Sequence, residues 1–271
     1  MNQLFNVKNK IIVITGGTGV LGSEMTKYLA DEGAHVVIMS YAIEGAHELK
    51  DEIVSKGGAA SIILADVTKE SDLEKAYEEL KKSFGTIDVL INAAGGNMQG
   101  ATITPDQTLM DSDVEALRKI IELNYIGTYL PIKTFLPLFL SNNKGSIINI
   151  SSMSAERPLT RVMGYSSSKA AIDNLTQWLA VEFAQKHGEG LRVNALAPGF
   201  FLTKQNKTLL TETDGSLTAR GNQIISNTPM GRFGDPNELL GAVHYLCSDA
   251  SKFVTGTVLK IDGGFGAYSG V

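Results

Sequence analysis

Short runs of aliphatic residues recur along the whole chain and alternate with longer amphipathic stretches. The apolar runs are IIVIT (11–15), HVVIMS (35–40), ASIILAD (60–66), DVLINAAG (88–95), GSIINISS (145–152), LRVNALAPG (191–199) and TVLKIDGG (257–264). Such continuous runs, without a polar residue at every second position, are typical of strands that are buried on both faces. Strands of this kind occur in parallel sheets that helices cover on both sides.

The amphipathic stretches between these runs have the length and spacing of helices, as in ESDLEKAYEELKKSFG and in the helical region from 112 to 140. Repeated β-α units joined by right-handed crossovers give a doubly wound sheet. The sequence therefore predicts an α/β fold with a Rossmann-type parallel sheet of about seven strands and helices on both faces.

We find no linker or repeat, and predict one dinucleotide-binding and catalytic domain over residues 1–271. The irregular segment from about 200 to 229 is long for a loop inside a compact domain. Loops of that length are usually lids or binding elements, or contain short helices. We expect it to be a substrate-binding lid.

Composition excludes several classes of protein. The net charge of −5 argues against a nucleic-acid partner, and the single cysteine, Cys247, is typical of a reducing compartment. No apolar run is long enough to cross a bilayer, and the polar N-terminal residues do not resemble a secretory signal. We expect a cytoplasmic protein that does not bind a membrane. The four histidines have no ligand spacing, so no metal site is predicted.

A glycine-rich turn, TGGTGVLG at 15–22, follows the first strand directly. Glycines let backbone amides approach a pyrophosphate, and the helix that follows offers the positive end of its dipole. This position is the expected dinucleotide site of the fold. The predicted cofactor contacts here are Gly16, Thr18, Gly19, Val20 and Leu21.

Further cofactor contacts are expected where other strands end. An acid at the end of the second strand favours a free ribose 2′-hydroxyl, and a basic residue favours a 2′-phosphate. Ser40 and Tyr41 offer neither group. Asp66, followed by Val67, is a candidate partner for the adenine amino group. The end of the fourth strand is predicted to border the cofactor through Asn92, Ala93, Ala94 and Gly95.

Tyr165 and Lys169 stand four residues apart in YSSSK, so a helix would place them on one face. An ammonium beside a phenol stabilises the phenolate and lowers its pKa, which makes a proton donor usable near neutral pH. The same spacing also occurs on solvated helix faces. Taken alone, the pair leaves both interpretations open.

Together these motifs resemble the short-chain dehydrogenase/reductase family over essentially the whole chain. The resemblance depends on TGGTGVLG, Asp66, NAAG at 92–95, Asn124, the INISS strand, YSSSK, and Pro198, Gly199 and Thr203. Two departures are visible. Val20 stands where the family has a glycine, and NAAG replaces the commoner N-N-A-G.

The resemblance implies a role for each matching position. Tyr165 would be the general acid/base, and Lys169 would lower its pKa and hold the nicotinamide ribose. Ser152 would bind the substrate oxygen, and Asn124 would hold a water in a proton relay. Thr203 would contact the nicotinamide carboxamide, or cap a following helix, and Pro198 and Gly199 would also border the cofactor.

Several segments, including SSMSAERPLTRV, LAPGFFLTKQN and TPMGRFGDPNELLG, are similar to the bacterial D-mannonate oxidoreductases (fructuronate reductases) of this family. This resemblance implies reduction of D-fructuronate to D-mannonate, with NAD(H) favoured and NADP(H) as the alternative. Related reductases act on 5-keto-gluconate or on a keto-deoxy-uronate from alginate. A non-catalytic nucleotide-binding scaffold is a remote alternative, because all four catalytic positions are intact.

A sugar-acid substrate needs a cation for its carboxylate, and arginine suits that geometry. Arg157 and Arg161 lie between Ser152 and Tyr165, although either could equally form a surface ion pair or a subunit contact. The other candidate substrate contacts are polar: Asn97, Ser152, Gln205 and Asn206. The resemblance also implies a homotetramer, and we expect the apolar tail GFGAYSGV to pack against a neighbouring subunit.

Overall fold

A computed structural model describes residues 3–203 and 206–270, and seven strands form one parallel sheet within them. The strands are β1 (Ile11–Thr15), β2 (His35–Ser40), β3 (Ala59–Leu64), β4 (Val89–Asn92), β5 (Gly145–Ile150), β6 (Leu191–Pro198) and β7 (Val258–Ile261). Their order is β3-β2-β1-β4-β5-β6-β7, and every pairing is parallel. The predicted fold class is confirmed.

Helices cover both faces of this sheet. They are α1 (Val20–Asp31), α2 (Ala46–Ser55), α3 (Glu70–Phe84), α4 (Val114–Ile121), α5 (Gly127–Leu140), α6 (Met163–His187), α7 (Lys207–Leu210), α8 (Ala219–Ser226) and α9 (Leu240–Cys247). One apolar core lies between the sheet and α1, α2 and α9. A second core lies on the other face, beneath α3, α5 and α6. The strands β1 to β6 contribute to both cores, because successive side chains point to opposite faces, and β7 contributes to the first.

β1 and β4 are neighbours in the sheet, and the strand order reverses between them. β2 lies on the other side of β1, and β5 lies on the other side of β4. From β1 the chain proceeds to β2 and β3 on one side, and then returns to place β4 on the other. At such a reversal the connections leave in opposite directions and open a crevice at the carboxyl ends of the strands. The fold therefore fixes where a ligand can bind.

The helical region predicted from 112 to 140 is divided in the structure. A wider π-helical turn, Glu122–Ile126, separates α4 from α5. Pro131 lies four residues beyond Gly127 and has no N–H, so it cannot donate the helical hydrogen bond to the Gly127 carbonyl. Within the wider turn, the Thr128 hydroxyl donates to the Asn124 carbonyl at 2.8 Å. Single π-helical turns of this kind are frequent at functional sites.

The segment predicted to be a lid contains two short helices, α7 and α8. Residue Phe201 pairs with Gly234, which joins the start of the segment to the chain beyond its end. Lys204 and Gln205 lie outside the described residues. The movement of this segment as a lid stays a prediction.

The first residues of the C-terminal tail pack against their own chain through Phe265 and Gly266, and the expected contact with a neighbouring subunit stays a prediction. The rings of Phe265 and Phe200 meet edge to face, with centroids 5.5 Å apart. The Arg157 Nε donates to the Gly266 carbonyl at 3.2 Å. The sequence did not reveal this contact because it joins residues 109 positions apart.

Burial raises the pKa of the Cys247 thiol to about 12, which fits its interpretation as a core residue. Across residues 3–203 and 206–270, none of the helices has both the length and the apolar character that crossing a membrane requires.

Candidate active site

A cleft of about 530 Å³ opens at the carboxyl ends of the strands, at the reversal between β1 and β4. Its size is in the usual range for small-molecule sites. The glycine-rich turn, the end of β4, the end of β5 and the start of α6 all contribute. Among the predicted site residues, those that line it are Gly16, Gly19, Val20, Leu21, Ala93, Gly95, Asn97, Ser152, Tyr165, Lys169, Gly199, Thr203 and Asn206.

The glycine-rich turn is packed so closely that side chains would not fit at two positions. Gly16 has a φ of 62°, and a Cβ there would lie 2.8 Å from the Ala94 Cα. A Cβ at Gly22 would lie 2.1 Å from the Gly16 carbonyl oxygen. The backbone thus forms a bare cradle at the start of α1, suited to a phosphate. Val20 begins α1 and lines the cleft, so the departure from the family pattern does not close it.

The end of β2 lies to one side of this cradle. The Thr18 and Ser40 hydroxyls are 3.2 Å apart, which connects the turn to the strand. Tyr41 is 85% exposed. Neither Ser40 nor Tyr41 brings a charge to this position, as the sequence indicates.

Asp66 follows β3 and makes several local contacts. Its Oδ1 accepts hydrogen bonds from the Thr68 amide at 3.0 Å and the Thr68 hydroxyl at 2.7 Å, and Lys69 forms an ion pair at 3.3 Å. Burial raises the pKa of Asp66, but these contacts outweigh it and the pKa is lowered. Asp66 is therefore an ionised acceptor. Val67 is buried and packs beneath Gly127, where a Cβ would lie 2.8 Å from its Cγ2.

Asn92 differs from its neighbours Ala93 and Gly95 because its side chain does not line the cleft. Its Nδ2 donates to the Asn149 Oδ1 at 2.9 Å, and the Asn149 Nδ2 donates to the Thr176 hydroxyl at 2.9 Å. This buried chain of hydrogen bonds joins β4, β5 and α6. The Asn92 side chain thus has a structural role, and the cofactor contact of this residue stays a prediction.

Asn124 holds the loop that follows β4. Its Nδ2 donates to the carbonyls of Gly96 and Ile120, each at 2.9 Å, and its Oδ1 accepts from the Gly96 amide at 3.0 Å. A Cβ at Gly95 would lie 2.7 Å from that Oδ1, so the residue there has to be glycine. The carboxamide atoms of Asn124 are therefore occupied by backbone groups.

Ser152, Tyr165 and Lys169 meet at the end of β5. The Lys169 Nζ donates to the Ile150 carbonyl at 2.7 Å and lies 5.5 Å from the centre of the Tyr165 ring. Lys169 is only 4% exposed, which excludes a solvated helix face for this pair. The Ser152 Oγ accepts from the Ser154 amide at 3.2 Å, and its hydroxyl interacts with the Tyr165 phenol.

The electrostatics of this group correct one expectation. We expected Lys169 to lower the pKa of Tyr165. Instead, burial raises the pKa of the Tyr165 phenol, and only the interaction with Ser152 opposes this. Burial also lowers the pKa of Lys169 to about 8. Removal from water therefore dominates the pKa of Tyr165, and the expected lowering by the Lys169 ammonium does not contribute to it.

The remaining predicted contacts divide into two groups. Thr203 and Asn206 line the cleft, but the Asn206 side chain caps its own segment, accepting from the Thr203 amide at 2.8 Å and donating to the Phe201 carbonyl at 2.8 Å. Pro198 is buried in β6 next to Gly199, which lines the cleft. Thr203 is not a helix cap, because Asn206 precedes α7. Gln205 lies outside the described residues.

The two predicted substrate arginines do not line the cleft. The Arg157 guanidinium is directed toward the tail, through its bond to Gly266. Arg161 follows Leu159, which does line the cleft. Asn97 also lines it, although its Nδ2 donates to the Thr102 hydroxyl at 2.8 Å.

Several residues of the cleft wall were not predicted from the sequence, and most of them are apolar. These are Gly22, Gly96, Ile150, Met153, Leu159, Phe200 and Phe201. Gly22 and Gly96 could have been found as the last glycines of their motifs. The apolar residues carry no such signal. In the part of the chain that the structure describes, no group of three or more His, Cys, Asp or Glu side chains could hold a metal ion.

Comparison with known proteins agrees with this geometry. A family model described as enoyl-(acyl carrier protein) reductase matches residues 18–266. An uncharacterized oxidoreductase of Bacillus subtilis, UxuB, is 44% identical, over 98% of both chains. A crystal structure from Haemophilus influenzae, provisionally named D-mannonate oxidoreductase and containing bound NAD, superimposes with a TM-score of 0.92 at 43% identity, over 98% of both chains.

A more distant neighbour is the gluconate 5-dehydrogenase of Burkholderia cenocepacia, solved with NADP and tartrate. It superimposes with a TM-score of 0.86 at 28% identity, and 98% of each chain is covered. The chain belongs to the short-chain dehydrogenase/reductase family. It is therefore an NAD(P)-dependent oxidoreductase of that family.

The burial of Lys169 predicts a pH-dependent stability difference in the Lys169→Met variant. Between the folded pKa of about 8 and the ordinary value of 10.5, the unfolded chain binds more protons at this group, so the wild type gains stability as the pH rises. The variant lacks this gain. We expect its stability relative to wild type to be about 2 kcal/mol more favourable at pH 7 than at pH 10.

Chemical denaturation at the two pH values measures this difference. Lys82→Met, on the exposed face of α3, is the matched control and should show no comparable change. A Lys169→Met difference that is equal at both pH values would contradict the lowered pKa.

Proposed function

We propose that this protein reduces a keto-uronic acid to the corresponding hydroxy acid, with D-fructuronate and D-mannonate as the pair. The observation that carries the reaction class is the meeting of Ser152, Tyr165 and Lys169 on one cleft with the glycine-rich turn. The sugar-acid substrate is supported by similarity to the provisionally named Haemophilus influenzae enzyme.

The glycine cradle and the start of α1 fit a dinucleotide pyrophosphate, because only backbone lines this wall at Gly16 and Gly19. NAD(H) is the proposed cofactor. The 43% identical neighbour binds NAD, and neither Ser40 nor Tyr41 supplies a cation for a 2′-phosphate. NADP(H) is the alternative, since the Burkholderia cenocepacia neighbour binds NADP.

The proposed mechanism needs one proton and one oxygen anchor from the chain. The nicotinamide supplies a hydride to the carbonyl carbon when it is bound. Tyr165 donates a proton to the carbonyl oxygen as the C=O bond becomes C–OH. The Ser152 hydroxyl hydrogen-bonds the same oxygen and stabilises the negative charge that develops there.

Two further residues, Lys169 and Asn124, support this proton transfer. The Lys169 ammonium, held by the Ile150 carbonyl, faces the Tyr165 ring and favours the phenolate once the proton has left. Asn124 fixes Gly96, so we assign it a positioning role. Both Nδ2 protons of Asn124 are used by carbonyls, so a relay water could reach its carboxamide only through the second lone pair of Oδ1.

Two alternatives follow from the same cleft. A related polar carbonyl, 5-keto-gluconate or an alginate-derived keto-deoxy-uronate, is compatible with the site, and the gluconate 5-dehydrogenase neighbour favours the first. A non-catalytic nucleotide-binding scaffold is disfavoured, because Ser152, Tyr165 and Lys169 are present and adjacent.

Initial rates with a panel of carbonyl compounds test the proposed function. The purified protein is assayed with NADH and with NADPH against D-fructuronate, 5-keto-D-gluconate, the alginate-derived keto-deoxy-uronate and a neutral ketose. We expect the largest kcat/KM for D-fructuronate with NADH. A higher value for either other acid would select that alternative, and turnover of the neutral ketose alone would contradict the proposal.

Replacing Tyr165 with Phe should reduce kcat by at least 100-fold, because general acid catalysis typically contributes that much. The affinity for NADH, measured by fluorescence titration, should change little. Tyr245→Phe, outside the cleft, serves as the matched control. Activity of Tyr165→Phe near the wild-type level would show that another group donates the proton.

We also propose a single catalytic domain, with the 200–229 segment as its lid, that assembles as a homotetramer. Exposed apolar residues on the outer face of α6 support assembly, with Trp178 at 59% exposure and Val181 at 57%. Light scattering during size-exclusion chromatography measures the assembly directly. A monomeric mass at micromolar concentration would contradict it.

A further inference from the structure

Phe200 belongs to the walls of two cavities. The first is the cleft that contains Ser152 and Tyr165. The second has a volume of about 390 Å³ and lies beyond the carboxyl ends of β6 and β7. Of the described residues in the cleft wall, only Phe200 and Phe201 also line the second cavity. These two residues therefore form the boundary between the cleft and the second cavity.

The two phenylalanines are held differently. Phe201 is 6% exposed, and its ring packs on Gly234, where a Cβ would lie 2.9 Å from the ring. The Gly234 amide donates to the Phe200 carbonyl at 2.9 Å, and the Gly234 carbonyl accepts from the Leu202 amide at 2.9 Å. Phe201 thus supports a backbone pairing. Phe200 is only partly buried, so its ring is the part of the boundary that can be removed without opening the core.

The Phe200 ring is positioned by a residue far along the chain. It meets the ring of Phe265 edge to face, with centroids 5.5 Å apart and an angle of 62° between the planes. This geometry is favourable for two aromatic rings. Phe265 therefore limits the orientations that the Phe200 ring can adopt at the cleft.

The turn that carries Phe265 is itself fixed at two points. The Asp262 carboxylate, at the end of β7, accepts from the amides of Gly264 at 2.9 Å and Gly266 at 2.8 Å. On the loop that follows Ser152, the Arg157 Nε donates to the Gly266 carbonyl at 3.2 Å. The turn is thus attached both to the sheet and to the loop that carries the proposed oxygen anchor.

The charged side chains of the second cavity already have partners. The Arg232 guanidinium donates to both carboxylate oxygens of Glu238, at 2.7 and 2.6 Å, and the Lys260 ammonium pairs with Glu156. Asp262 accepts from the backbone of its own turn. The apolar wall residues are Phe200, Phe201, Met230 and Ile261. We therefore expect this cavity to accept an uncharged, apolar group, because a charge there would lose water without gaining a partner.

We propose that Phe200 determines the size of the substrate: its ring, positioned by Phe265, closes the cleft toward the second cavity and excludes carbonyl compounds that carry a bulky group on that side. The proposal rests on the proposed function in one respect, since it takes Ser152 and Tyr165 as the place of reaction. A compact six-carbon keto acid does not need the second cavity, whereas a larger substrate does.

Two β-keto esters of different size, ethyl acetoacetate and benzyl acetoacetate, test this assignment in Phe200→Ala. Removing the ring joins the cleft to the second cavity. The ratio of kcat/KM for the benzyl ester to that for the ethyl ester should therefore rise roughly 10-fold or more over wild type, because burial of a phenyl ring contributes that much. Where an ester is not reduced, its inhibition constant against the best acid of the panel replaces kcat/KM.

The matched control is Phe253→Ala, which removes a fully exposed phenyl ring that lines neither cavity, so the ratio should equal that of wild type. Phe200→Leu keeps an apolar side chain of smaller size and should give an intermediate ratio. It also serves as the second variant if Phe200→Ala does not fold. An unchanged ratio in the folded Phe200 variants would overturn the assignment.

Phe265→Ala tests the positioning role. We expect a smaller rise in the ratio than in Phe200→Ala, and no further rise when both changes are combined, because Phe265 acts only through the Phe200 ring. Additive effects in the double variant would overturn this role of Phe265. A wild type that reduces the esters but none of the keto acids would contradict the proposed substrate and leave the assignment of Phe200 intact.

Discussion

The parallel direction of all seven strands is the constraint on which the site depends. It places every carboxyl end on one edge, so residues distant in sequence, such as Gly16, Gly95 and Ser152, meet on one cleft. The reversal between β1 and β4 then opens that edge. Two apolar cores, one on each face, hold the sheet rigid beneath the site. The fold therefore determines where these residues lie, and the side chains at the strand ends determine the chemistry of the cleft.

Burial controls the chemistry of these side chains. Lys169 is only 4% exposed at the cleft wall, and its pKa falls to about 8, while the pKa of Tyr165 rises. Each shift disfavours the charged form. A phenolate that develops on Tyr165 and the Lys169 ammonium would stabilise each other, because their opposite charges attract.

The sequence predicted the sheet, its seven strands and most of the cleft, because those features depend on local patterns. Continuous apolar runs identify buried strands, and the glycine turn and YSSSK have fixed spacings. Contacts between residues that are far apart in the chain could not be predicted from the sequence. Asn92 bonds to Asn149, Asn124 clamps Gly96, and Arg157 turns to the tail, each through a partner far away in sequence.

Isotope transfer from the cofactor tests the central claim most directly. The protein is incubated with D-fructuronate and NADH that carries deuterium at both positions of nicotinamide C4, and the product is analysed by mass spectrometry and NMR. Direct hydride transfer predicts D-mannonate with one deuterium on the carbon that was the carbonyl carbon, and one NADH oxidised for each molecule formed. Product without that deuterium, or no D-mannonate at all, would contradict the account.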